Sequence, residues 1–165
     1  MKKFFWFSIS VSVVVISFGF AFVGIVPPIS ISVTAGAGEL TAEDYIEIQQ
    51  LYVQYAHTLD LGDAEGWADT FTEDGVFGEA KGRTGLVDFA KGFFDRGGSD
   101  RHWNSQVLIT PTAEGADGSC YLLLIDTSVQ PVGITVSGIY TDKIVKTPNG
   151  WRFKNRIAKL EMPSN

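Results

Sequence analysis

The chain has 165 residues, of which 45% are hydrophobic and 13% aromatic, and it carries a formal net charge of −6. This length suits one domain, or one domain behind a targeting segment, and the aromatic content excludes an intrinsically disordered chain. The acidic balance argues against nucleic-acid binding, which requires a basic surface. Because Cys120 is the only cysteine and His57 and His102 are the only histidines, a disulfide framework is excluded and no zinc site is expected.

An apolar segment opens the chain. Lys2 and Lys3 precede a run from Phe4 to Val26 that contains no ionisable side chain. Small residues at Ala35-Gly36-Ala37 then form a possible signal-peptidase site, which is typical of an export signal. The run is also long enough to span a membrane, which requires about 20 residues. Residues 1–37 are therefore predicted to be a signal peptide or a retained membrane anchor, and both place residues 38–165 outside the cytoplasm, either periplasmic or secreted.

The exported part is predicted to contain three helices. Thr41 is suited to cap the first helix, because Asp44 follows three residues later, near the positive helix end. The apolar residues of this helix recur at helical spacing, as Ile48, Leu51, Tyr52, Tyr55, Ala56 and Leu59. Asp63 is expected to begin a short second helix and Thr84 a third helix, which ends at a pair of glycines.

From Arg101 onward the apolar residues alternate with a period of two, which is typical of strands. Four long strands are predicted, at His102–Thr110, Ser119–Asp126, Ile134–Thr147 and Trp151–Leu160, with a hairpin turn at Asn149-Gly150. A short strand at Val76-Phe77 is expected before the third helix. This order predicts an α+β domain in which three helices cover one face of a curved antiparallel sheet and enclose a pocket at its open end.

Three segments point to a known family. They read IQQLYVQYAHTLDLGD over residues 48–63, WADTFTEDGVF over residues 67–77 and NGWRF over residues 149–153. These segments resemble SnoaL-like proteins of the nuclear transport factor 2-like superfamily, across about Leu40 to Leu160. The resemblance implies a cone-shaped α+β fold and a homodimer formed through the sheet. It leaves the activity open, because the superfamily includes dehydratases, isomerases, dehydrochlorinases, cyclases, dioxygenase small subunits and non-catalytic binders.

Two positions resemble the branch that holds scytalone dehydratase and hexachlorocyclohexane dehydrochlorinase. In that branch an aspartate at the end of the first helix pairs with a histidine at the start of the first long strand, and these positions are Asp60 and His102 here. Arg156 matches an arginine that faces the dehydrochlorinase pocket. Leu59 and Leu122 stand where scytalone dehydratase has a tyrosine and a second histidine. The resemblance therefore implies the Asp–His pair but neither of the two substrates.

The residue types themselves support this pair. Asp60 lies at the rim of the apolar stripe on a helical wheel, where a half-buried carboxylate requires a partner. A bond from Asp60 to one ring nitrogen of His102 would fix the tautomer, so that the other nitrogen acts as general base. The predicted substrate-binding residues are Tyr52, Tyr55, Asn104 and Arg156, the arginine as an electrostatic stabiliser of an anion. These proton transfers require no metal and no organic cofactor, and we expect none.

Each of these residues also has a structural interpretation. Asp60 can cap the end of its helix, His102 can be an edge histidine, and Arg156 can lie on a solvated strand face. The two tyrosines can be core residues, and His57 is predicted to be exposed on the polar side of the first helix. Two functions therefore remain open. The chain is either a cofactor-free lyase or isomerase that acts on a small hydrophobic or polycyclic molecule, or a non-catalytic exported domain that binds a ligand.

Overall fold

The computed structural model describes residues 38–97 and 99–161, so the predicted export or anchor segment lies outside this part of the chain. The described residues form an α+β domain, as predicted. Its helices are α1 (Ala42–Asp60), α2 (Ala64–Ala68) and α3 (Gly82–Gly97). Its strands are β1 (Phe71–Phe77), β2 (Ala80–Lys81), β3 (Asp100–Thr112), β4 (Gly115–Asp126), β5 (Gly133–Thr147) and β6 (Gly150–Glu161). Within these two ranges, no helix combines the length and the hydropathy that crossing a bilayer requires.

The strands form one curved, mixed sheet in the order β2-β1-β6-β5-β4-β3. Strands β3 to β6 are antiparallel neighbours, as predicted, but β1 runs parallel to β6, with Phe71 opposite Phe153. The prediction of an entirely antiparallel sheet is therefore wrong at this edge. After α2 the chain runs alongside β6, where the backbone N–H of Phe153 donates to the carbonyl of Thr70 at 2.9 Å. Local periodicity carries no information about this direction, because the direction depends on how the helices fold back.

Strands β3 and β4 are both longer than predicted, so the connection between them is shorter. Residues 111–118 lie between two of the predicted strands and are mostly polar or small, which favours a connector, but β3 continues to Thr112 and β4 already begins at Gly115. Asp117, in this segment, lies opposite Thr110 on one side and Lys143 on the other. The Lys143 Nζ donates to the Asp117 carboxylate at 2.7 Å. Ala116 is buried in the core, while its neighbour Asp117 lies on the outer face of the sheet. Polarity alone does not distinguish such a strand from a loop.

Helix α1 begins with a capping box that also ties it to the last hairpin. Thr41 and Asp44 exchange hydrogen bonds, at 2.9 Å from the Thr41 N–H and at 3.1 Å from the Asp44 N–H. The Asp44 Oδ1 also accepts from Lys146 Nζ at 2.6 Å and from Trp151 Nε1 at 3.0 Å. These bonds, with that from Lys146 the largest contribution, hold the pKa of the Asp44 carboxyl well below its usual range. One carboxylate thus joins the start of α1 to β5 and β6.

The hydrophobic core lies between the helices and the concave face of the sheet. All six residues of the predicted α1 stripe are buried, namely Ile48, Leu51, Tyr52, Tyr55, Ala56 and Leu59. Trp67 from α2 and Leu86 from α3 are fully buried beside them, and Phe153 closes the core from β6. The apolar stripe of α1 therefore decides which face of that helix meets the sheet, and it sets the direction in which Asp60 points at the end of the helix.

A β-bulge interrupts strand β3 and changes which of its residues face inward. Ser105 lies opposite Tyr121 and Leu108 opposite Ser119, so β3 contains one more residue than β4 between these pairs. Gln106 occupies the bulge with a φ of 55°, a left-handed conformation. Because side chains alternate along a strand, the extra residue shifts the inward set by one position. His102 and Asn104 face inward before the bulge, whereas Val107 and Ile109 pack against the core after it.

Candidate functional site

Asp60 and His102 meet where the end of α1 crosses the start of β3. The Asp60 Oδ2 accepts the backbone N–H of His102 at 2.9 Å, and the Asp60 Oδ1 lies 2.6 Å from the ring Nδ1. Their side chains are 9% and 3% exposed, respectively. One carboxylate therefore holds both the strand and the ring, which fixes the imidazole more firmly than a single hydrogen bond can.

The imidazole is packed against aromatic rings. The Tyr55 ring stands edge-on to it with centroids 6.1 Å apart, and the Phe93 ring lies at 5.5 Å. With Asp60 at Nδ1, the geometry favours the tautomer in which Nδ1 carries the proton and Nε2 carries the lone pair. The basic nitrogen is then Nε2. This arrangement is the one that a general base requires, because the carboxylate stabilises the imidazolium formed when Nε2 takes a proton.

A cleft of about 450 Å³ lies beside this pair, between α1 and β3. It is open to solvent, unlike the enclosed pocket that the sequence predicts. Its α1 wall consists of Gln49, Tyr52, Val53, Ala56 and His57. Its β3 wall consists of His102, Asn104, Ser105, Gln106 and Val107. A depression of similar size, about 400 Å³, lies on the outer face of the sheet around Leu108 and Ile157, but the Asp60–His102 pair does not line it.

Asn104 brings unsatisfied hydrogen-bonding groups to the cleft. Both its Oδ1 and its Nδ2 are buried, and neither has a hydrogen-bond partner among the described residues. Leaving a buried polar group unsatisfied costs about 1–3 kcal/mol. Asn104 lies two residues after His102 on the same face of β3, and both residues line the cleft. A ligand with one acceptor and one donor would satisfy this side chain.

Arg156 is a core residue. It is fully buried, and its guanidinium carbon lies 3.9 Å from the ring centroid of Tyr140 and 4.1 Å from that of Tyr55. Its Nε lies 3.5 Å from the carboxylate of Asp142, which is also buried. The interpretation of Arg156 as a residue on a solvated strand face is therefore wrong, because its side chain points inward, among aromatic rings. Arg156 is not among the residues that line the cleft.

Tyr52 lines the cleft, but its hydroxyl is hydrogen-bonded to another residue. The hydroxyl donates to Asp142 Oδ2 at 2.5 Å. Burial first, and then the charge of Asp142, raise the pKa of Tyr52 far above its usual value. A Cβ at Gly118 would lie 2.2 Å from this hydroxyl, so Gly118 leaves the space that the bond occupies. Tyr55 is completely buried under the cleft, and burial raises its pKa well above the usual tyrosine value.

The structure thus brings Tyr52, His102 and Asn104 together at the cleft, with Asp60 behind the imidazole, and leaves Tyr55 and Arg156 in the core. It adds one titratable residue that the sequence analysis did not assign to the site. His57 is exposed, as predicted, yet it lines the same cleft as His102. The available signal was the spacing of Gln49, Val53 and His57, four residues apart, which forms a ridge beside the buried stripe of α1.

Comparison with known proteins agrees with this architecture. Residues 40–157 match the family model described as a SnoaL-like domain. The comparison with curated proteins gives no match. An Asp-to-Asn variant of a protein of unknown function from Mycobacterium tuberculosis has 28% identity and a TM-score of 0.68, and the alignment covers 73% of this chain and 78% of that one.

Two further solved structures are similar over most of their length. A protein of unknown function with a cystatin-like fold from Nostoc punctiforme has 27% identity and a TM-score of 0.69, over 76% of this chain and 96% of that one. A protein from Catenulispora acidiphila, solved in complex with S-DNPA, has 29% identity and a TM-score of 0.66, over 73% of this chain and 95% of that one.

Proposed function

We propose that this chain, which belongs to the SnoaL-like family, is a cofactor-free lyase or isomerase that acts on a small hydrophobic or polycyclic molecule. The observation that carries the proposal is the contact of Asp60 with both the backbone and the ring of His102, at the wall of a cleft. The reaction is a dehydration, another elimination or a proton shift. All of these include removal of a proton, which is the step that an oriented imidazole performs.

His102 acts as the general base through Nε2. Asp60 holds the ring in position and stabilises the positive charge that develops on it. Proton transfer by a positioned group contributes roughly 10²–10⁴-fold to a rate. Because proton transfer moves no electrons between oxidation states, the residues of this site supply the chemistry without a redox cofactor or a metal.

The lining of the cleft supports a neutral, partly apolar substrate. Val53, Ala56 and Val107 supply apolar surface, and the described lining contains no lysine or arginine that would attract an anion. Asn104 would hold a polar group of the substrate, because both of its amide atoms are unsatisfied. A volume of about 450 Å³ accommodates a molecule of two or three fused rings.

A non-catalytic, exported ligand-binding domain is the second candidate. The unsatisfied amide of Asn104 favours it as well, since a binding site also requires such groups. The two candidates differ in what they require of His102. A binder retains its ligand when Nε2 is lost, whereas a lyase or isomerase loses turnover.

Location and assembly are further parts of the proposal. The sequence supports an exported domain that contacts the membrane only through residues 1–37. A homodimer, with the sheet as its interface, stays a prediction that rests on the family resemblance. Light scattering and mass determination of the exported protein test these two points.

The deciding experiment uses 5-nitrobenzisoxazole, a generic elimination substrate whose single reactive step is removal of the proton on C3. We expect the wild-type protein to accelerate its ring opening, and His102→Gln and Asp60→Asn to lower that rate by about 10²-fold or more. Asp95→Asn, a carboxylate exposed on α3, is the matched control and should leave the rate unchanged. Probe bound at the cleft but not turned over would favour the binding domain and contradict the proposed activity.

A further inference from the structure

The two histidines of the chain line one cleft from opposite walls. His102 belongs to the β3 wall and His57 to the α1 wall. We propose that His57 is a second acid–base group of this site, the general acid that protonates the leaving group. This inference rests on the proposed function, because a general acid contributes to the reaction only if His102 removes a proton.

Its position on α1 suits this role. Gln49, Val53 and His57 lie four residues apart and form the ridge that borders the buried stripe, so their side chains face the cleft rather than the core. His57 lies in the last turn of α1, three residues before Asp60. Its side chain is exposed, and solvent can therefore restore its proton after each turnover.

The environments of the two imidazoles differ in the way that an acid and a base require. The His102 ring is buried and held by a carboxylate, while the His57 side chain is exposed to solvent. The titratable side chains on the two walls are His57, His102 and Tyr52, with Asp60 behind His102. Tyr52 already donates its proton to Asp142, and burial raises its pKa, so it is a poor acid here. His57 is the remaining proton donor on the lining.

The two histidines would divide an elimination between them. His102 Nε2 takes a proton from a substrate carbon, and the electron pair of that C–H bond forms the new π bond. The bond from the neighbouring carbon to the leaving oxygen breaks, and the oxygen keeps that electron pair. The His57 imidazolium gives the oxygen a proton, so that a neutral water or alcohol departs. His57 then takes a proton from solvent and His102 releases one, which restores both groups with no net oxidation or reduction.

The experiment compares two probes that differ only in their leaving group. In 5-nitrobenzisoxazole the nitro group stabilises the departing phenolate, so an acid contributes little, whereas unsubstituted benzisoxazole leaves a far more basic oxygen. In both probes the C3 proton is removed, the N–O bond breaks and a nitrile forms. We expect His57→Gln to lower kcat/KM for benzisoxazole by about tenfold or more and for the nitro compound by less than about twofold. Gln49→Ala alters the same wall without removing an acid and should change both values by the same factor.

The outcomes separate this inference from the proposed function. If wild type turns over both probes and His102→Gln abolishes turnover, the base is established. His57→Gln must then discriminate between the probes. An equal loss on both, as for Gln49→Ala, would make His57 only a wall residue, and an unchanged rate on both would remove it from the reaction. If no turnover depends on His102, the proposed function and this inference fall together.

Discussion

Asp60 ends helix α1 with a carboxylate whose two oxygens contact the same residue, His102, one at the backbone N–H at 2.9 Å and the other at the ring Nδ1 at 2.6 Å. The helix end and the strand start are therefore joined by the group that orients the imidazole. Because the carboxylate has no further freedom to turn, the direction of Nε2 is set by the packing of α1 on the sheet. Catalytic geometry and fold stability depend on the same contact.

Replacing Asp60 by asparagine should separate these two contributions. The amide oxygen can still accept the backbone N–H of His102, but the remaining NH₂ group offers a donor to Nδ1 and favours the wrong tautomer. We expect a loss of about 10²-fold in turnover of the elimination probe, together with a cost of about 1–3 kcal/mol in stability. Urea unfolding and the downfield proton resonance of the Nδ1–H report the two effects. A variant that keeps this resonance and loses activity would contradict the orienting role of Asp60.

Gly118 should be intolerant of any side chain. A Cβ there would lie 2.2 Å from the Tyr52 hydroxyl and would displace its bond to Asp142. We expect Gly118→Ala to destabilise the protein by about 1–3 kcal/mol, which is typical of overpacking. The matched test is the double variant with Tyr52→Phe, which removes the clashing oxygen. In denaturant melts the double variant should lose less stability than the sum of the two single variants, and simple additivity would contradict the clash.

The bulge in β3 should depend on the backbone conformation of residue 106 rather than on the side-chain amide of Gln106. Gln106 has a φ of 55°, which glycine adopts freely and a β-branched residue does not. Gln106→Gly is expected to retain the stability and the His102 Nδ1–H resonance. Gln106→Val is expected to cost about 1–3 kcal/mol and to broaden or remove that resonance, because a regular strand would turn His102 away from Asp60. Equal behaviour of the two variants in unfolding and NMR measurements would contradict this view.

Asp44 should make the stability of the fold depend on acid. Its pKa is lowered in the folded state, chiefly by the bond from Lys146, so the ionised carboxylate stabilises the fold at neutral pH. That contribution is complete above the usual aspartate range and is lost as the pH falls below about 4, toward the folded-state pKa. We expect Asp44→Asn to cost about 1–3 kcal/mol at neutral pH and to flatten the decline between about pH 4 and pH 2. A parallel decline in both proteins would show that other groups govern acid unfolding.

The sequence predicts much of this fold because its strongest signals are periodic. The stripe from Ile48 to Leu59 identifies α1 and its buried face, and the alternation after Arg101 identifies the four long strands. No local sequence pattern indicates that β1 pairs in parallel with β6, because this pairing depends on where the chain runs after α2. The same holds for β2, which is only two residues long.

The site is less accessible to sequence reasoning than the fold. Asp60 and His102 stand at the end of one element and the start of another, which is why their positions could be compared with a known pair. The inward orientation of His102 and Asn104 depends on the bulge at Gln106, and no residue type signals a left-handed glutamine. The burial of Arg156 depends on aromatic rings from several elements that surround its guanidinium. In the sequence, the neighbouring charges at Arg152 and Lys154 suggest an exposed strand face instead.

The most direct test of the central claim is the primary isotope effect for 5-nitrobenzisoxazole carrying deuterium at C3, measured with wild type and His102→Gln. If His102 Nε2 removes the proton, the wild-type protein should accelerate the reaction with a large isotope effect, and His102→Gln should fall to the rate of the buffer alone. An equal rate in both proteins would place the base elsewhere and contradict the proposed function.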